Sequence, residues 1–224
     1  GRAAWNCVTG GQKEEAANFS LERHAAHADR YERASEFVDV VVGLWESFEA
    51  DALLHDKASG RFFDPAKIHT LNHKGKHFSV KGPLNVARSP QGRPVIIQAG
   101  GSDATIEMAA RVAEVVFTAQ ADLAAAQDFY GRVKAAAARN GRGPDSIRVM
   151  PGLSVFVGKT RAEARAKFDA LHDMVDVRDA VEGLGRLLGG VDLSAYDPDA
   201  PMPDLQGNDL RMSGPGTFVR IGRE

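Results

Sequence analysis

Apolar residues return at spacings of three and four across residues 21–49, with Tyr31, Ala34, Phe37, Val38, Val41, Leu44, Trp45 and Phe48 on one face. That spacing predicts a long amphipathic helix. Ahead of it, residues 3–8 read as a strand and residues 10–20 as a polar loop. Across residues 50–93 the pattern breaks into short runs punctuated by Asp64-Pro65, Asn72-His73-Lys74-Gly75, Lys81-Gly82-Pro83 and Ser89-Pro90-Gln91-Gly92. These are turn signals, and residues 68–71 and 77–80 are expected to pair as a hairpin across the turn at 72–76.

A regular alternation follows. Strands are expected at 95–98, 115–118 and 148–156, and helices at 103–113, 123–140 and 161–175. Asp122 and Thr160 stand at helix-capping positions, and Asn140-Gly141 is a helix stop. Strands alternating with helices across short joints predict an α/β fold, with parallel strands joined by right-handed crossovers. A further helix fits 180–188, and the Pro-, Gly- and Asp-rich remainder, 189–224, is expected to be irregular. The whole chain reads as one domain, 1–224, with 50–93 as an excursion between a helix and the next strand.

Composition narrows the function classes. The 224 residues are 43% hydrophobic and 26% charged, enough for a globular core. A formal net charge of -2, with Lys and Arg scattered, gives no electrostatic footprint for nucleic acid or an anionic membrane. No run of apolar residues is long enough to span a bilayer. The single cysteine, Cys7, forms no internal disulfide, which favours a reducing, cytoplasmic setting, and it reads as small core filling rather than a reactive thiol. The abrupt opening on a strand, and the closing Gly214-Pro215-Gly216 with a strand-like run at 217–221, give the expectation of a piece of something longer.

The stretch PVIIQAGGSDATIEMAARV carries the most informative joint, where a short strand empties into Gly100, Gly101 and Ser102 before a helix begins. Helix N-termini present unpaired N–H groups and a partial positive charge, so an anion is favoured there. Glycines without Cβ allow close approach, and Ser102 adds a hydroxyl. The plainer reading is a tight turn with Ser102 or Asp103 capping the helix, and the motif alone leaves both open. It is neither a Walker loop nor a dinucleotide fingerprint. On the long helix, His27 and Tyr31 are four apart and share a face. Both can donate to a phosphate; alternatively Tyr31 extends the apolar stripe and His27 lies at its rim, with His24 a local competitor. His55, His69, His73 and His77 invite a zinc reading, but Asn72, Gly75 and the hairpin pattern argue against the helix it needs, and no metal site is expected.

The segments GRAAWNCVTG, NFSLERHAAHADRYERASEFVDVVVGLWESFEADALLHDKASGRF, HKGKHFSVKGPLNVARSPQGRPVIIQAGGS and GLSVFVGKTRAEA together resemble the nitrilotriacetate and dibenzothiophene-sulfone monooxygenases. These form a branch of the bacterial luciferase-like flavin monooxygenases, and the resemblance runs over residues 1–200. It implies a (β/α)8 barrel that binds reduced FMN at the C-terminal ends of its strands. Residues 3–8 would be a middle strand and residues 50–93 an insertion. Matched position by position, the phosphate-contacting residues fall on His27, Tyr31 and Ser102 beside Gly101, with Asn6 a neighbour of the flavin ring. The implied reaction uses reduced FMN (FMNH2) and O2, passing one oxygen atom to a small N- or S-containing substrate and the other to water. The cofactor carries that chemistry, and no side-chain catalytic triad is discernible.

The resemblance also implies a separate NADH-dependent flavin reductase as partner, and a homo-oligomer. Against the family pattern, the first three strands and the last part of the barrel are absent from this sequence, which leaves three outcomes open: a fragment, a chain completed by a second copy, or a remnant. The alternative function is therefore a truncated, catalytically inactive flavin- or phosphate-binding fragment or an assembly module.

Overall fold

A computed structural model describes residues 2–10, 13–120, 122–188 and 191–201. The chain enters through β1 (Ala4–Asn6) and crosses a 3-10 segment at Lys13–Phe19 before α1 (His27–Trp45). This helix is shorter at both ends than the 21–49 its periodicity predicts. Phe19 and Leu21 are exposed, so no buried surface rewards an earlier start. At the other end Ser47 and Phe48 leave the helix to pair with the next segment: His69 N–H donates to the Ser47 carbonyl at 2.8 Å, and Phe48 bridges Ile68.

Two small hairpins follow, β2 (Leu53–Asp56) with β3 (Arg61–Phe63) and β4 (His73–Lys74) with β5 (Ser79–Val80). The first was not legible in the sequence. The second is closer-set than predicted: it pairs His73 with Val80, and residues 68–71 lie outside it. Glu36 on α1 fixes this register. Its carboxylate faces His73 Nε2 at 2.9 Å and accepts the N–H groups of His77 and Phe78, both at 2.9 Å.

The remaining elements are β6 (Val95–Ala99), α2 (Asp103–Val112), β7 (Val115–Thr118), α3 (Leu123–Arg139), β8 (Arg148–Pro151), α4 (Arg161–His172) and α5 (Val177–Leu187). The strands form one parallel sheet in the order β1-β6-β7-β8, aligning Asn6 with Ile97, Ile97 with Val115, and Val115 with Arg148. The predicted α/β fold with parallel strands is what the chain adopts. Ser102, Asp122 and Thr160 cap their helices by accepting N–H groups of Thr105, Ala125 and Glu163. Helix α5 starts earlier than predicted because Asp176 caps it, accepting the N–H groups of Arg178 and Asp179.

One strand expectation fails. Residues 148–156 alternate as a strand should, yet β8 ends at Pro151, and Leu153, Val155 and Val157 are 81%, 70% and 74% exposed. The last ladder bond in this region is Gly152 N–H to the Thr118 carbonyl. Beyond it the described residues offer no neighbouring strand, and alternation without a partner gains no hydrogen bonds.

Alternation gives the sheet two unlike faces. Cys7, Ile96, Gln98, Val116 and Thr118 are buried. On this side the sheet packs with Val38 of α1, Ile106, Ala109 and Ala110 of α2, and Phe129, Val133, Ala136 and Ala137 of α3 in one core. Cys7 is core filling as predicted, and burial pushes its thiol up to about 11. The opposite face carries Asn6, Ile97, Phe117 and Met150, with Phe117 47% and Met150 55% exposed. Arg142, which sequence reading passed over, closes the C-terminal end of α2: its guanidinium donates to the carbonyls of Ala109, Ala110 and Ala113, and to that of Ser146.

Candidate functional site at the first turns of two helices

The C-terminal ends of β1 and β6 lie side by side, so the helices that follow them begin at the same edge of the sheet. Gly100 leaves β6 with φ +140°, a conformation that side chains disfavour, and a Cβ there would stand 2.7 Å from Thr105 Oγ1. Ser102 then caps α2, its Oγ accepting Thr105 N–H at 3.2 Å. That leaves the N–H groups of Asp103 and Ala104 as first-turn donors without an acceptor inside the helix. Asp103 places a carboxylate at this end, and Arg132 of α3 is paired with it.

Tyr31 approaches from α1. Its hydroxyl lies 2.7 Å from Thr105 Oγ1, which in turn lies 3.0 Å from Ser102 Oγ. The shared oxygen keeps the Tyr31 and Ser102 hydroxyls within about 6 Å of each other. His27, 7% exposed, stacks on Tyr31 with ring centroids 4.7 Å apart and planes tilted by 38°. Thus His27, Tyr31 and Ser102, the last 71 residues or more from the other two in sequence, meet at one place.

Of the other candidates, Gly101 adjoins the cluster through Ser102, and Asn6 and His24 lie apart from it. Gly101 is exposed beside the cluster. Asn6 sits at the end of β1 on the open face of the sheet, opposite the buried Cys7 side. His24 pairs with Glu15 at 3.4 Å. Sequence reading missed Thr105, which is 1% exposed and joins the other two hydroxyls. The signal available was a β-branched hydroxyl residue in the first turn of a helix otherwise rich in strong helix formers.

Histidines 69, 73 and 77 each face a glutamate, Glu49, Glu36 and Glu32 respectively, and His55 packs edge-on against Phe62. Among the described residues no group of three His, Cys, Asp or Glu is placed to hold a metal ion. No described helix is long and apolar enough to cross a membrane.

Comparison with known proteins shows the family. The luciferase-like monooxygenase family matches residues 1–202. The chain belongs to that family. As a luciferase-like protein, it is 51% identical over 205 residues to N-acetyl-S-(2-succino)cysteine monooxygenase of Bacillus subtilis, covering 92% of this chain and 46% of that protein. It is 48% identical to nitrilotriacetate monooxygenase component A of Aminobacter aminovorans, with 91% and 45% covered. A solved riboflavin lyase, crystallised with modified FMN and riboflavin, superposes with a TM-score of 0.83 at 36% identity, over all of this chain and 51% of that one. The long-chain alkane monooxygenase structure gives 0.82 at 34%, over all of this chain and 50% of that one.

The chain therefore spans about half the length of the curated relatives it matches. The architecture is a partial (β/α)8 barrel of the luciferase-like type, as the sequence resemblance implied.

Proposed function

We propose that this chain carries the phosphate-holding part of an FMNH2-dependent, two-component monooxygenase. The observation that carries the reading is the convergence of three hydroxyls, from Tyr31, Ser102 and Thr105, on the start of α2 at the C-terminal edge of the sheet. Hydroxyls and first-turn N–H groups are neutral donors, and the helix dipole adds favourable potential for a dianion. Gly100 holds the chain close behind the donors without a Cβ in the way. The residues present fit a flavin phosphate.

In this reading the N–H groups of Asp103 and Ala104 bind the phosphate together with Tyr31 and Ser102, of which one donates its proton to the anion while the proton of the other is spent inside the hydroxyl cluster. His27 braces Tyr31 through their stacked rings. Asn6, Ile97, Phe117 and Met150 lie on the sheet face that would meet the flavin ring, and their largely apolar character serves to keep water from it. Reduced FMN, when bound, supplies the O2 chemistry by which one oxygen atom enters a small organic N- or S-containing substrate. The reading places residues 50–93 as an insertion in a single barrel. It further places the protein in the cytoplasm, served by a separate NADH:FMN reductase and assembled as a homo-oligomer.

The exposure of Phe117 and Met150 favours a second reading. An open sheet face does not exclude water, so the chain would bind flavin without turning over. Titration with FMN, followed by incubation with reductase, NADH and candidate thioether or aminopolycarboxylate substrates, separates the two. Oxygenated product supports the monooxygenase; binding without product supports the inactive module; no binding removes both.

A further inference from the structure

We infer that Thr105 is a positioning residue of this site: its hydroxyl orders the protons of Tyr31 and Ser102, so that an outward-facing O–H is held ready for an anion. The inference rests on the phosphate-binding reading above. Thr105 lies in the first turn of α2, where a threonine hydroxyl is costly to bury unless it is bonded. It is 1% exposed, and its Oγ1 lies 2.7 Å from a tyrosine hydroxyl 74 residues away and 3.0 Å from Ser102 Oγ. The space behind it is kept clear by Gly100, whose missing Cβ would sit 2.7 Å from the same oxygen. Thus Gly100, Ser102 and Tyr31 are all arranged around Thr105 Oγ1.

Counting protons shows what the bridge does. Each of the three hydroxyls has one proton to donate. The two links, Tyr31 to Thr105 and Thr105 to Ser102, consume two. One remains. If the donation runs from Tyr31 through Thr105 to Ser102, Ser102 keeps its proton for the anion while its lone pairs accept Thr105 Oγ–H and Thr105 N–H. If it runs the other way, Tyr31 keeps its proton; if both outer hydroxyls donate to Thr105, the spare proton sits on that buried residue, an arrangement that an anion at the cluster's edge disfavours. Thr105 therefore couples the two outer donors: a bound anion drawing on one sets the direction of the whole chain. A valine at 105 keeps the branched shape but cuts both links and leaves each outer hydroxyl to orient alone.

The test uses the 224-residue chain as wild type, Thr105→Val, Thr105→Ser and Tyr31→Phe, together with the Tyr31→Phe/Thr105→Val double variant. Affinity for FMN and for inorganic phosphate is measured on each, after circular dichroism and melting confirm folding. The inference expects Thr105→Val to weaken binding about three- to tenfold, the worth of one hydrogen bond. It expects Thr105→Ser to restore most of that affinity, and the double variant to lose less than the sum of the two single losses.

Equal affinity of the valine variant and wild type overturns the inference while leaving the phosphate reading intact. So does additivity of the two substitutions, or a serine variant no better than valine. If phosphate binds with the expected pattern and FMN does not, the flavin reading falls and the role of Thr105 stands. Should wild type bind neither, both fail.

Discussion

The Tyr31 hydroxyl lies 2.7 Å from Thr105 Oγ1 and ties the first turns of α1 and α2 together across 74 residues of sequence. Tyr31→Phe keeps the ring that stacks on His27 and removes the hydroxyl, and with it both this link and the proposed contact to phosphate. The variant should lose about 1 kcal/mol of stability, the net worth of a part-buried hydrogen bond. FMN affinity should fall with it, while phenylalanine at the neighbouring stack leaves the circular dichroism spectrum unchanged. Denaturant melts and flavin titration of the same preparation check both.

Gly100 tests the space behind that link. Alanine there meets an unfavourable φ of +140° as well as the Thr105 hydroxyl at 2.7 Å. Gly100→Ala should cost more than about 1 kcal/mol. Because the displaced group is the bridging oxygen, FMN affinity should fall further than in a control alanine at Gly131, where a Cβ meets open space.

Arg142 tests the architecture independently of the site. Four carbonyls, three of them at the C-terminal end of α2, accept from one guanidinium. Arg142→Met retains most of the stem and removes the donors. Unfolding free energy should drop by roughly 2 to 3 kcal/mol, in the range for charge-assisted hydrogen bonds. A variant as stable as wild type in urea would mean that water satisfies those carbonyls equally well.

Glu36 makes the stability pH-dependent. Hydrogen bonds from the His73 side chain, and then from the N–H groups of His77 and Phe78, hold its carboxyl down at about 2, against an ordinary value of 4.5. A depressed carboxylate stabilises the fold fully above its unfolded pKa and loses that contribution as it is protonated. The contribution of Glu36 is therefore complete above about pH 4.5 and declines as pH falls toward 2. Protection of the His77 and Phe78 amides, measured relative to their intrinsic exchange rates at each pH, should fall over that window. In Glu36→Gln those amides should exchange faster at neutral pH and show a flatter profile on acidification.

Much of this fold was legible because its elements obey one period each. β6, α2, β7 and α3 appear where alternation and caps place them, to within a residue or two at each end. The failures share a cause. Leu153, Val155 and Val157 alternate like a strand but have no described neighbour, and the 21–26 stretch lacks a surface to bury its apolar residues against. Strand and helix ends are decided by partners, which a local pattern does not contain. β2 and β3 escaped notice because strands of four and three residues, Leu53–Asp56 and Arg61–Phe63, are too short to carry a periodic signal.

At the candidate site, His27, Tyr31 and Ser102 were marked by spacing, by the Gly-Gly-Ser joint and by family resemblance. Thr105 was not, since a threonine inside a helix looks like filler until Tyr31 is seen to reach it. Arg142 was hidden in the same way, as one arginine in a loop whose acceptors lie some thirty residues earlier.

The grip of this cluster on a phosphate is most directly measured by melting the chain with FMN or with riboflavin, which shares the ring and lacks the phosphate. At a hundredfold excess over Kd, FMN should raise the melting temperature by about 5 to 10 °C. Riboflavin at the same concentration should raise it far less, and Tyr31→Phe should narrow the gap between the two. Equal shifts from both ligands, or none from FMN at millimolar concentration, would contradict the account.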